Sequence, residues 1–196
     1  MDWKILIPEI VELKKDHKLK RANAKKAFSK YKNGLGKFYF LDVMTTPKEA
    51  GREEDDLLEE AISDLFRSIG FNSKIPLNKD NFDVIAKFKD IVYHIEVKNG
   101  NMPGENDMLQ ALKYATRQGV FKGILVIWNN YKTNQEFDKN RTIDAVKNSY
   151  GIITTKELYS GYLKLKTNKI TFEKFTLQLQ KTGLIKYSSR FLKEDQ

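Results

Sequence analysis

One stretch limits the folds open to this chain more than any other: Phe82 to Gly100, FDVIAKFKDIVYHIEVKNG. Apolar and polar residues alternate on both sides of Lys89-Asp90, the period-two mark of half-buried β-strands. Phe82, Val84, Ala86 and Phe88 are expected on one face of the first strand, with Asp83, Ile85 and Lys87 on the other. In the second strand Ile91, Tyr93, Ile95 and Val97 share one face, and Val92, His94, Glu96 and Lys98 share the opposite one. A two-residue loop, or a four-residue loop on the same centre, pairs Phe88 with Ile91, Lys87 with Val92, Ile85 with His94, and Asp83 with Glu96. An odd-length loop would turn Asp83 to the other face. In the even register two carboxylates oppose each other at about 4.5–5.5 Å, with Lys98 one step further along. Two ionised acids so placed repel, and a divalent cation relieves the repulsion. Oxygen-only ligands favour Mg²⁺ or Mn²⁺ over zinc.

An Asp, about a dozen residues, then Glu-Val-Lys closing an apolar strand resembles the PD-(D/E)XK nuclease superfamily. The matching residues are Asp83, Glu96 and Lys98; Phe82 stands where that family often has Pro. Two flanking features carry the resemblance further. A helix from about Glu53 to Ile69, with Leu58, Ile62, Leu65, Phe66 and Ile69 as its apolar stripe, ends at Gly70. Glu59 precedes Gly70-Phe71 by eleven residues, as a metal-holding Glu does in the family, with Glu60 as the neighbouring alternative. After the Glu-x-Lys strand, a helix from about Glu105 to Gln118 puts Gln110 and Tyr114 on one face. That pair is similar to a Gln-x-x-x-Tyr feature whose Gln reaches toward the active site or bound DNA. The resemblance implies an α/β restriction endonuclease-like fold, a central mixed β-sheet flanked by helices. It implies metal ligation by Asp83, Glu96, Glu59 and the Val97 carbonyl, catalytic roles for Lys98 and Gln110, and a Mg²⁺- or Mn²⁺-dependent nuclease. His94 shares the Glu96 face, but a lone strand His is more often a packed or surface residue.

Composition narrows the partners. The chain has 196 residues, no Cys and two His, which rules out disulfides, thiolate-zinc sites and iron–sulfur clusters. No apolar run approaches the ~18–20 residues of a membrane span, and the N-terminus has no signal-peptide h-region. The expectation is an intracellular, soluble, cytoplasmic protein of prokaryotic or viral origin, without a membrane partner. The net charge of +9 is uneven. Residues 1–40 carry 11 basic and 4 acidic side chains, and residues 161–196 carry 8 and 3, so the middle is acidic by three. Such flanks suit a polyanion held over a metal-binding centre.

The remaining chain divides on this reading into an N-terminal basic segment with a lead-in strand (1–45), a nuclease core (46–160) and a basic helical extension (161–196), all within one domain. A helix over about Leu19–Tyr31 displays Lys20, Arg21, Lys25 and Lys26; these and Tyr114 are candidate nucleic-acid contacts. The run 37–44, KFYFLDVM, reads as a strand. Residues 72–76 read as a short strand or connection. The continuous apolar run 121–129 reads as an interior strand. A helix over about 141–148, a strand 151–154, a helix from about 155, and a helix capped by Thr171 follow. The function expected is hydrolysis of DNA phosphodiesters, with RNA as the alternative polymer. The enzyme would be a restriction-type, junction-resolving, or mobile-element or viral endonuclease, working as a homodimer. A DNA-binding protein on the same fold without catalysis, and an unrelated basic α/β protein, are the competing classes.

Overall fold

The period-two hairpin forms in the register the even loop requires. In this computed structural model, which describes Phe40, Val43, Met44 and residues 53–76, 81–130, 133 and 135–188, β2 (Val84–Phe88) and β3 (Ile91–Asn99) are antiparallel. Phe88 pairs with Ile91, Lys87 with Val92, and Ile85 with His94. Lys89 takes φ +50° to close the turn. Around this hairpin the sheet has six strands in the order β1-β2-β3-β4-β5-β6. β1 (Asn72–Lys74) is antiparallel to β2. From β3 onward the sheet is parallel, through β4 (Ile124–Asn129), β5 (Gly151–Thr154) and β6 (Gly183–Leu184).

From Glu53 onward the described helices flanking the sheet are α1 (Glu53–Ser68), α2 (Glu105–Gln118), α3 (Lys139–Lys147), α4 (Thr155–Lys166) and α5 (Phe172–Leu179). Both faces of β4 are buried, as its unbroken apolar run predicts. On one face α1, α4 and α5 bring Ile62, Phe66, Leu158 and Phe175 against Val84, Tyr93, Ile95 and Ile127. On the other, α2 and α3 bring Met108, Ala111, Ala115 and Ala145 against Val126, Trp128 and Ile152. Thr154 and Thr171 cap α4 and α5 by accepting hydrogen bonds from the amides of Glu157 and Lys174. This is the mixed sheet flanked by helices that the sequence predicts.

Several local expectations give way. Phe40, Val43 and Met44 are helical and buried, not part of a strand. They lie at i, i+3 and i+4, and an apolar run this short is ambiguous between the two periods. Phe82 leaves the face of Val84 and Ala86: the chain bends at Asp83, and Phe82 packs with the α2 side of the sheet. The strand expected from 121 starts at Ile124, because Gly123 takes φ +71° and its carbonyl accepts from the amide of His94 at 2.8 Å. A Cβ there would sit 2.0 Å from the Val92 carbonyl oxygen. The helix after Thr155 runs on through LKLK to Lys166. Beyond α5, β6 and the residues after it bring Ile185 and Tyr187 into the core. Tyr187 packs on Gly161, stacks on Phe175, and donates its hydroxyl to the Phe175 carbonyl at 2.6 Å. Buried Glu157 accepts from the Tyr187 and Ser188 amides at 2.6 and 2.8 Å. The candidate nucleic-acid residues Lys20, Arg21, Lys25 and Lys26 lie outside the described residues.

Candidate active site

Alternation along β3 sends His94, Glu96 and Lys98 toward α2, while Tyr93, Ile95 and Val97 face α1. The β2–β3 ladder ends at Val84–Ile95, one step short of the predicted Asp83–Glu96 pair. The bend at Asp83 puts its side chain where the next ladder residue would sit. Its Oδ2 accepts from the Val97 amide at 2.7 Å. Within an extended strand the N–H and C=O of one residue project to the same side. The Val97 carbonyl therefore opens toward Asp83, beyond the end of the β2 ladder.

Glu96 is 1% exposed. Its Oε1 pairs with the Lys98 ammonium at 2.9 Å, and its Oε2 is buried with no hydrogen-bond partner among the described residues. Burial first, and then the charge of Asp83, pushes the Glu96 carboxyl up to about 7 against the pull of Lys98. Burial alone would lower the Lys98 ammonium, but Glu96, Asp83 and Asp107 together raise it, so it stays charged. Two carboxylates and a lysine thus form one electrostatic unit at the end of the hairpin.

α2 supplies the far wall. Gln110 Oε1 accepts from Lys98 Nζ at 3.4 Å, and its amide donates to the Tyr114 hydroxyl at 2.9 Å. The Tyr114 ring meets the Phe82 ring edge-on, and Phe82 also packs on His94. His94 is pushed down by burial and stays neutral, its Nδ1 buried without a hydrogen-bond partner among the described residues. Asp107 is the residue sequence reasoning missed. Its Oδ2 accepts from the Gly104 amide at 2.8 Å, capping α2, and its Oδ1 lies 3.7 Å from Lys98 Nζ. The spacing Gly104-x-x-Asp107 at a predicted helix start is the signal that could have found it. Glu59 is half-buried on α1, which packs on the opposite face of the sheet from Lys98 and Gln110; Glu60 beside it is buried. Among the described residues no group of three or more His, Cys, Asp or Glu side chains is placed to hold a metal ion. The contacts above bring together Asp83, Glu96, Val97, Lys98, Gln110 and Tyr114.

The donor set nonetheless fits a hard cation. A buried carboxylate oxygen without a partner is costly to maintain unless something meets it. Here that oxygen lies within the field of a second carboxylate. Beside the set, Lys98, Asn99, Asn101, Met102 and Asp107 line an open cleft of about 380 Å³.

Comparison with solved structures gives the same architecture. The structure of restriction endonuclease FokI matches with a TM-score of 0.53 at 15% identity, over 93% of this chain and 34% of that one. Restriction endonuclease FokI bound to DNA matches with a TM-score of 0.50 at 15% identity, over 92% of this chain and 33% of that one. The chain thus spans about a third of the length of these structures. The likeness is one of fold, restriction endonuclease-like. No curated protein matches. No described helix is long and apolar enough to cross a membrane. In sequence, the family model described as Seadornavirus VP7 matches residues 72–194, from β1 past β6, and by that match over more than half its length the chain belongs to the Seadornavirus VP7 family.

Proposed function

We propose that this protein is a metal-dependent nuclease of the PD-(D/E)XK type, an endonuclease that hydrolyses DNA phosphodiester bonds inside the infected cell. The observation that carries this reading is Glu96: a buried carboxylate with one oxygen on Lys98, the other unpartnered, and its charge opposed by Asp83. Asp83, Glu96 and the Val97 carbonyl would hold Mg²⁺ or Mn²⁺. When bound, such an ion supplies Lewis-acid polarisation of a phosphoryl oxygen and a water of lowered pKa. The remaining chemistry belongs to the chain itself. Lys98, charged and fixed between Glu96, Asp107 and Gln110, orients the attacking water and neutralises charge developing on the phosphate oxygens. Gln110, itself held by Tyr114, limits the freedom of that ammonium. Cutting both strands of a duplex calls for two such sites, which a two-fold homodimer provides.

The test is nicking of supercoiled plasmid in Mg²⁺ or Mn²⁺, with linear, single-stranded, four-way-junction and RNA substrates in parallel. Cleavage should vanish with EDTA and with Asp83→Ala or Lys98→Ala. Tight binding without any cleavage would instead identify a nucleic-acid-binding protein on the same fold.

A further inference from the structure

Phe121 is 77% exposed, the most exposed of the large apolar side chains described. It sits over a groove of about 290 Å³ between the ends of α2 and α3, floored by Leu112, Ala115 and Ile124. Lys147 lines the groove, and Lys113, Arg117 and Lys122 each adjoin a lining residue in the chain. All four cations are exposed, and none forms an ion pair among the described residues. From 108 to 135 the sequence has four basic residues and no acidic one. The acid near the groove, Asp144, already accepts from Asn148 and from the Tyr150 hydroxyl.

An aromatic face standing clear among unpaired cations is the chemistry of single-stranded nucleic acid, where bases stack and phosphates are neutralised. A two-fold contact between copies would set this cationic rim against itself. The groove also lies on the same side of the sheet as Lys98. Ile124 pairs with His94, four residues from Lys98 along β3, or about 13 Å. We propose that the Phe121 groove is a second nucleic-acid contact, where one base of an unpaired segment stacks on Phe121 while Lys122, Lys147, Arg117 and Lys113 hold its phosphates. The substrate of the nuclease proposed above would then carry single-stranded character next to the cut, and this inference rests on that reading for its biological sense only.

The test is binding in EDTA, so that cleavage plays no part. Fluorescence anisotropy of the full chain is measured with labelled oligothymidylate, oligouridylate and a duplex. Phe121→Ala should weaken both single strands by about tenfold or more and leave the duplex nearly unchanged. Lys122→Ala and Lys147→Ala should each lower the slope of log affinity against log salt by about 0.7. Leu177→Ala, another exposed apolar site, serves as control and should change neither. Single-strand affinity unmoved by Phe121→Ala overturns the proposal. So does unmoved affinity accompanied by altered sedimentation, which would assign the groove to self-association. If the chain never cuts but Phe121→Ala loses single strands, the groove stands and the nuclease reading falls. If the chain cuts while Phe121→Ala binds normally, the reverse holds.

Discussion

Glu96→Gln separates the function of the site from its cost. The substitution keeps the side chain's shape and deletes its charge. The folded chain holds the Glu96 proton to about pH 7, against 4.5 for a free carboxyl. At ~1.4 kcal/mol per pH unit, the ionised carboxylate is then disfavoured on folding by about 3 kcal/mol. The folded pKa lies above the unfolded one, so Glu96's contribution to stability is fully present below about pH 4.5 and is lost as pH rises through about 7. In EDTA at about pH 8.5, Glu96→Gln should therefore unfold at higher urea, by about 2–3 kcal/mol, and melt roughly 4–12 °C higher. Near pH 4.5 the parent is protonated and the gap should close. Mg²⁺ at about 100 times its Kd should return about 2.7 kcal/mol to the parent and nothing to the variant. Buried Trp128 gives a fluorescence readout for the unfolding. A variant no more stable than the parent at high pH would refute the reasoning. It would mean that the fold itself answers the carboxylate, leaving no role for a cation.

Two further substitutions probe the surroundings. Asp107→Ala removes the acceptor at the start of α2 and a neighbour of Lys98, so it should cost about 1 kcal/mol in urea unfolding and slow plasmid nicking. Asp107→Asn, which keeps the cap but not the charge, should be nearly as stable as the parent while nicking more slowly; equal nicking by parent and Asn variant would remove Asp107 from the site. Gly161→Ala would place a Cβ 2.6 Å from the Tyr187 ring, and overpacking of this kind costs about 1–3 kcal/mol. A thermal melt matching the parent's would show that Tyr187 is not held as tightly as its stacking and hydrogen bond imply.

The hairpin was legible because its alternation is strict and its turn even, so the side-chain period alone determined which residues pair. The same logic placed Lys98 beside Glu96 and, through helical spacing, Gln110 beside Tyr114. It stopped at the bend. Strict alternation continued through Asp83 gives Phe82 the wrong face, because nothing local announces that the chain leaves the ladder there. The run 37–44 misled because its apolar residues leave no clear periodicity to measure. β6 is two residues long and owes its existence to pairing with Gly151 and Ile152, a partnership that no window of sequence displays. Asp107 was hidden for another reason: its carboxylate serves a helix cap and a lysine at once, and only the cap has a spacing rule.

The parallel trio β3, β4 and β5 runs out at one rim, with Lys98 beside Trp128, Asn99 beside Asn129, and Thr154 beside Trp128. Buried Asn129 donates to Asn99 and accepts from Thr155, stitching that rim together beneath the connections that leave it. Those connections also reach the core: Phe137, between β4 and α3, packs its ring edge-on against Trp128, and Met102 packs on the same cluster. The spacing between Glu96 and Lys98, by contrast, is dictated by a β-strand's rise and not by the loops. Changes in these loops that spare the contacts on Trp128 should therefore leave the relative placement of Glu96 and Lys98 as it is.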